Sequence, residues 1–177
     1  EEEGSLHESE IEGESSSQGH EAEGEPSLQE VEPTHGTHEL RNGFSRSPRE
    51  IEVQAGGSVS GLELTGLMNC SGFFEETVDI RLNYRAGEEG LLRIYVDDPT
   101  DQDTSLAIYG PDNIWFCNDD YDLTLQPVID FQSPMSGDYN IYVGHYFADT
   151  LTEVILYLTE DADMHRPGLP LSGLNND

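Results

Sequence analysis

The fold is decided by residues 105–147, SLAIYGPDNIWFCNDDYDLTLQPVIDFQSPMSGDYNIYVGHYF. Short runs in which apolar residues alternate with polar ones are interrupted about every ten residues by Gly, Pro, Asn and Asp, the residues that favour turns. These interruptions fall at residues 110–113, 118–122 and 136–138. Period-two alternation between turns is typical of β-strands with one buried face, so this stretch predicts consecutive antiparallel strands.

The flanking sequence continues the same pattern. Further strands are predicted at residues 51–53, 59–64, 78–84, 92–96 and 154–158. No segment keeps a helical period, so we expect little helix. The sequence therefore predicts an all-β protein, an antiparallel β-sandwich with one face of each strand in the core and the other in water.

Several motifs in and around this stretch occur in a distinctive order. They are DTSLAIYGPD at residues 103–112, WFCNDD at 115–120 and PMSGDYNIYVGHY at 134–146, with weaker matches at 70–72 and 78–84. Together they resemble the bacterial pre-peptidase C-terminal (PPC) domain. The resemblance implies a secreted, non-catalytic β-sandwich of jelly-roll-like topology. Such domains are often appended to peptidases, and some bind calcium, collagen or polysaccharide.

Composition divides the chain into an acidic N-terminal arm and linker at residues 1–47, the PPC-like sandwich at 48–160 and a tail at 161–177. Residues 1–39 contain thirteen Glu and no Lys or Arg. The few apolar residues of this stretch can bury too little surface to offset the entropy that the chain loses on folding. The long acidic arm is therefore either a solvated spacer or an extended arm that lies on a neighbouring subunit.

A small basic cluster, Arg41, Arg46 and Arg49, follows the acidic arm. Its arginines could pair with the acidic arm of the same or another molecule, although each exposed ion pair would contribute less than about 1 kcal/mol.

The formal charge of −30, from 37 acidic residues, seven Lys and Arg combined and no Lys, limits the possible partners. Phosphate backbones and anionic membrane surfaces would be repelled. No apolar run is long enough to span a membrane. The expected partners are other copies of the protein, or an extracellular protein or polysaccharide.

Cys70 and Cys117 are the only two cysteines. In a chain of extracellular character a single pair favours a disulfide, with two buried thiols as the alternative. Closing a loop of about 47 residues would stabilise the fold by roughly 4 kcal/mol. We accordingly expect an extracellular or cell-surface location of the bacterial type, and a mature chain whose signal peptide has been removed.

Two acidic loops are candidates for a calcium site, at residues 97–103 and 118–122. Ca²⁺ takes about six to eight oxygen ligands, which several Asp side chains from convergent loops could supply. The predicted ligands are Asp119, Asp120 and Asp122, followed by Asp101 and Asp103. The alternative is that these residues occupy turns because their side chains cap local backbone amides.

A second metal site, for Zn²⁺ or Cu²⁺, could in principle use His35 and His38, which lie three residues apart. Catalytic signatures are missing from the sequence: there is no Gly-x-Ser-x-Gly, His-Glu-x-x-His, P-loop or Rossmann glycine pattern. We expect His145 to point outward from its strand rather than to act as a general base.

These observations lead to the hypothesis of a secreted, non-catalytic binding or assembly module, assisted by calcium. Two alternatives stay open. One is a subunit of an extracellular filament or surface layer, held together by the extended N-terminal arm. The other is an accessory domain of a secreted hydrolase.

Overall fold

The computed structural model describes residues 31–44, 48–98, 100, 102–122, 124–166 and 169–170. The expectations for residues 1–30 and 171–177 and for Asp101 lie outside this range. The elements in chain order are β1 (Thr37–Arg41), β2 (Arg49–Gly57), β3 (Val59–Ser60), α1 (Gly61–Thr65), β4 (Phe73–Phe74), β5 (Ile80–Arg85), β6 (Leu91–Asp97), β7 (Thr104–Tyr109), β8 (Trp115–Asn118), β9 (Val128–Gln132), β10 (Gly137–His145), β11 (Thr150–Thr159), β12 (Met164–Arg166) and β13 (Leu169–Pro170).

Two sheets form the body of the protein. The larger sheet is built around β10, which pairs with β5 and the short β4 and also with β7, while β8 extends the sheet beyond β7. The smaller sheet has the order β2-β11-β6-β9, and β12 and β13 form a separate pair. All strand pairs are antiparallel except β1 with β5, which is parallel. The prediction of an all-β sandwich is confirmed.

The core lies between the two sheets and is made by alternate side chains of each strand. In the larger sheet, Leu106 and Ile108 of β7 are paired with Val143 and Ile141 of β10, and all four are fully buried. The smaller sheet adds residues of the same kind, among them Ile94, Val96, Leu156 and Leu158. Each such aliphatic side chain contributes about 1.5–3 kcal/mol when removed from water, so this layer supplies most of the stabilisation.

A second, smaller apolar cluster covers the opposite face of the larger sheet. Tyr142 and Ala107 of that face pack with Phe74, Val78 and Cys70. The disulfide between Cys70 and Cys117, predicted from the sequence, is confirmed, with Cα atoms 5.3 Å apart. It ties the segment that carries α1 to strand β8.

The strand predicted at residues 59–64 is wrong beyond Ser60, because the chain turns into helix α1. The side chain of Ser60 accepts a hydrogen bond from Glu63 N at 3.2 Å, which caps the start of the helix. Gly66 ends it in a left-handed conformation and donates to the Leu62 carbonyl at 2.8 Å. Both ends of this single turn are thus stabilised locally.

Strand β1 lies in the stretch predicted to be arm and linker, yet it forms the edge of the larger sheet beside β5. Its side chains alternate between exposed and half-buried, and Leu40 packs against the main core. No helix in the described part of the chain is long and apolar enough to cross a membrane.

Candidate functional site

Three chain segments that carry acidic and aromatic side chains meet at one end of the larger sheet. Asp103 comes directly before β7, Asp119 and Asp120 follow β8, and Tyr146 and Phe147 follow β10. Because β7 is antiparallel to both β8 and β10, the start of β7 lies beside the ends of the other two strands. We call the surface formed by these five residues the acidic end.

Asp103 occupies the centre of the acidic end. Its backbone carbonyl accepts a hydrogen bond from Tyr146 N at 2.9 Å. Its side-chain oxygen Oδ1 is buried and has no hydrogen-bond partner among the described residues. Burial raises the pKa of Asp103, and the nearby carboxylates of Asp120 and Asp119 raise it further, with His145 acting in the opposite direction. A buried carboxylate oxygen without a donor is costly, and a bound cation or donor would relieve that cost.

His145 was expected to point outward, and this prediction is wrong: the residue is only 3% exposed. Strand β10 continues to His145, which pairs with Thr104 and so falls on the inner face of the sheet. The ring Nδ1 accepts a hydrogen bond from Phe147 N at 3.0 Å. Nε2 has no hydrogen-bond partner in the described part of the structure.

The first acidic loop uses one of its carboxylates to order itself. Asp98, which is buried, accepts hydrogen bonds from Thr100 N at 2.9 Å, Thr100 Oγ1 at 2.6 Å and Gln102 N at 3.0 Å. Burial opposes ionisation here, but these hydrogen bonds outweigh it and lower the pKa of Asp98 below its ordinary value. Asp98 therefore caps backbone amides of its own loop, which is the alternative to a calcium site given above for these loops.

Gln126 was not identified from the sequence, although it holds the same loop from the other side. Its Oε1 accepts from Asp98 N at 3.2 Å and its Nε2 donates to the Gln102 carbonyl at 2.6 Å. A single Gln in a turn carries no distinguishing sequence signal. Asn118 has a similar role in the second loop: it donates to the Asp120 carbonyl at 2.9 Å and accepts from Val128 N at 2.9 Å.

The structure brings three of the five predicted calcium ligands into one neighbourhood, namely Asp103, Asp119 and Asp120. Asp122 is exposed in the next turn with a positive φ of 58°, and it is not among the charges that raise the pKa of Asp103. Over the described residues, no group of three or more His, Cys, Asp or Glu side chains is arranged to hold a metal ion.

The histidine pair in the N-terminal segment makes backbone contacts. His38 Nε2 lies 3.2 Å from the carbonyl of His35, and the ring of His35 accepts from Gln54 N at 3.4 Å. The second contact places His35 against β2, so this histidine links the N-terminal segment to the smaller sheet.

The fold and the acidic end together define an all-β sandwich with an acidic and aromatic loop surface at one end. No protein-family model matches the chain, and no curated protein matches its sequence. The resemblance to PPC domains thus stays a prediction made from the motifs themselves.

Proposed function

We propose that the protein is a non-catalytic binding module, assisted by Ca²⁺, that engages an extracellular protein or polysaccharide through the acidic end. The observation that carries this proposal is the buried Oδ1 atom of Asp103, which lacks a hydrogen-bond partner in the described structure and lies near two further carboxylates. A buried carboxylate that lies near other carboxylates is stabilised when a cation binds beside it.

Calcium is the proposed cation because the proposed metal ligands are carboxylate oxygens, which hard divalent ions prefer. The donors are Asp103 with Asp119 and Asp120 on the adjoining loop. They do not form a ready metal-binding group in the part of the chain described. Binding would therefore bring the second loop closer to Asp103, and the ion would offset the repulsion between these carboxylates.

The aromatic side chains of the acidic end supply the contact surface for a macromolecule. Tyr146 is 46% and Phe147 60% exposed, and their rings meet edge to face with centroids 5.3 Å apart. Leu151, near the start of β11, is 52% exposed and follows Phe147 closely in the chain. Exposed aromatic residues beside polar groups are suited to sugar rings or to apolar side chains of a protein partner.

The confirmed disulfide supports the proposed location. Disulfides persist in oxidising compartments and are rare in reducing ones. The Cys70–Cys117 bond is therefore in keeping with a protein that works outside the cytoplasm.

The proposal is tested by titrating the full chain with CaCl₂ in a calorimeter and by measuring the melting temperature in parallel. With calcium about 100-fold above its Kd, we expect the melting temperature to rise by about 5–10 °C, and EGTA should reverse the rise. Asp103→Asn should remove most of this shift because it takes away the central charge.

Asp138→Asn is the matched control, since Asp138 lies near the start of β10, at the opposite end of that strand. It should bind calcium as the unmodified chain does. Absence of calcium binding by the unmodified chain, or an equal loss in both variants, would contradict the calcium site.

A further inference from the structure

A cavity of about 440 Å³ opens at the end of the larger sheet that lies away from the acidic end. It sits where β1 and β5 finish, beside the start of β10, whereas the acidic end adjoins the end of β10. The wall combines two arginines with apolar and polar groups: Arg41, Arg85, Leu40, Phe44, Asn83, Gly43 and Glu39.

The two arginines of this cavity are neighbours. Arg41 and Arg85 are partners in the parallel register of β1 and β5, which places both side chains on the same face of the sheet. Both are exposed, and neither forms an ion pair or side-chain hydrogen bond with any described residue. Like charges directly opposite each other destabilise a sheet. The arginine pair thus destabilises the sheet locally. The chain holds 37 acidic residues, and their carboxylates could neutralise the two positive charges.

Two carboxylates that contact residues at or beside the cavity already accept hydrogen bonds. Glu160 accepts from Gly43 N at 2.9 Å and from the Tyr84 hydroxyl at 2.9 Å, which holds it against the β1 turn. Asp138 accepts from Asn83 Nδ2 at 2.8 Å. This leaves Glu39 as the one carboxylate in the described wall of the cavity, beside two guanidinium groups.

We propose that this cavity binds carboxylate side chains of the protein's own Glu-rich segment, residues 1–30, within the same molecule. This segment contains eleven Glu and no Asp, Lys or Arg, so its charge is opposite to that of the arginine pair. Guanidinium groups bind carboxylates through paired hydrogen bonds, which makes Glu side chains suitable occupants. The site is distinct from the acidic end and does not depend on the function proposed for it.

The geometry of the chain favours binding within one molecule. The segment enters the described fold at Val31, whose carbonyl accepts from Arg81 Nη2 at 3.1 Å. Arg81 lies four residues before Arg85 on β5, a separation of about 13 Å along the strand. About five residues of extended chain cover that distance, so most of the Glu side chains can reach the cavity. The covalent connection also raises their effective concentration above that of a second copy.

The test is a paramagnetic relaxation measurement on the full chain. A nitroxide is attached to Ser16→Cys, which is the only free thiol because Cys70 and Cys117 are bonded to each other. At low salt we expect the NMR signals of the Gly43 and Phe44 amides to lose most of their intensity. Recovery is expected in about 0.5 M NaCl, where charges are screened within a few ångströms.

The paired substitution Arg41→Gln with Arg85→Gln should restore the signals at low salt, while the spread of the amide spectrum confirms that the variant is folded. Arg49→Gln is the matched control, because Arg49 is exposed at the start of β2 and does not line the cavity. The proposal would be overturned if the Gly43 and Phe44 signals kept full intensity at low salt in the labelled chain that retains both arginines. It would also be overturned if Arg49→Gln restored these signals as fully as the paired substitution does. An equal loss when the nitroxide is carried by a different copy would overturn it as well, since the occupant would then be a second molecule.

Discussion

At the scale of single residues, Asp79 shows that tertiary contacts can bury a polar residue that alternation places on the exposed face of a strand. Alternation in residues 78–84 predicts that Asp79 faces water, but this prediction is wrong: the side chain is 2% exposed. The N-terminal segment covers it, since Thr34 Oγ1 donates to its Oδ1 at 3.2 Å, while Val143 N donates to its Oδ2 at 2.8 Å. Burial raises the pKa of Asp79 to about 7, and these two hydrogen bonds lower it only in part.

The raised pKa of Asp79 predicts a loss of stability with rising pH. Between the ordinary carboxyl pKa of 3.8 and about 7, the folded protein keeps a proton that the unfolded chain releases. The free energy of unfolding should therefore fall across this interval, by roughly 4 kcal/mol for this group, and level off above pH 7. Urea denaturation at a series of pH values, compared between the unmodified chain and Asp79→Asn, measures this contribution.

The Asn variant should show the shallower pH dependence, because its side chain does not titrate. Asp138→Asn, at a partly exposed position, serves as a control and should retain the slope of the unmodified chain. Parallel curves for the unmodified chain and the Asp79→Asn variant would refute the assignment of this titration to Asp79.

The acidic end was in part predictable at this scale. Asp103, Asp119 and Asp120 were chosen because Asp-rich turns are suited to cations, and the structure does place them in one neighbourhood. The burial of His145 and the use of Asp98 as a loop cap were not predictable in the same way. Both depend on where a strand ends relative to its partners, which alternation leaves uncertain by a residue or two.

At the scale of elements, the close approach of the two sheets depends on a glycine at the end of β2. Gly57 has a φ of 150°, and a methyl group added there would overlap the backbone carbonyl of Phe74 in β4. Since β2 belongs to the smaller sheet and β4 to the larger one, this contact closes one margin of the sandwich. Only a residue without a side chain fits between the two backbones.

We predict that Gly57→Ala lowers the free energy of unfolding by about 3 kcal/mol or more, or prevents folding, because backbone atoms cannot move aside cheaply. Gly66→Ala is the comparison: its φ of 75° is also left-handed, but the space around it is open. Its cost should be only about 1 kcal/mol, from backbone conformation alone. Urea denaturation midpoints compare the two variants, and equal losses would show that the sheets can separate at Gly57.

The positions of most strands along the chain were accessible from local patterns, whereas helix α1 and strands β1, β4, β12 and β13 were not. The helix α1 replaces a predicted strand because its caps, Ser60 and Gly66, override a weak alternation. Strand β1 was not predicted because it adjoins the Glu-rich stretch, and its parallel partner β5 is remote in sequence. The choice of a distant pairing partner leaves no signal in the local pattern of either strand.

At the scale of the whole molecule, the charge of −30 on 177 residues sets the balance between folding and self-repulsion. Compaction brings the negative charges closer together, which disfavours the folded state when counterions are scarce. Among the described residues, Arg93 and Asp130 form a salt bridge at 2.7 Å. With seven Arg against 37 acidic residues, attractive pairs can compensate only a small part of this repulsion.

We therefore predict that added NaCl stabilises the protein at pH 7. Between about 0.01 and 0.15 M salt the screening length falls from about 30 to 8 Å, which weakens repulsion between exposed carboxylates. The melting temperature measured by circular dichroism should rise across this range. Tetramethylammonium chloride should act equally if screening is the cause, and a constant or falling melting temperature would be the contrary result.

The amino-acid sequence by itself determined the all-β class, the positions of most strands along the chain, the disulfide partners and the strongly acidic character. These properties follow from local alternation, turn residues and composition, which do not depend on distant contacts. Only the tertiary structure decided that Asp79 is buried, that Arg41 stands beside Arg85, and that Asp103 faces the loop after β8. Each of these depends on which strands become neighbours and in what register, and that is settled by the packing of the whole core rather than by any single stretch of chain.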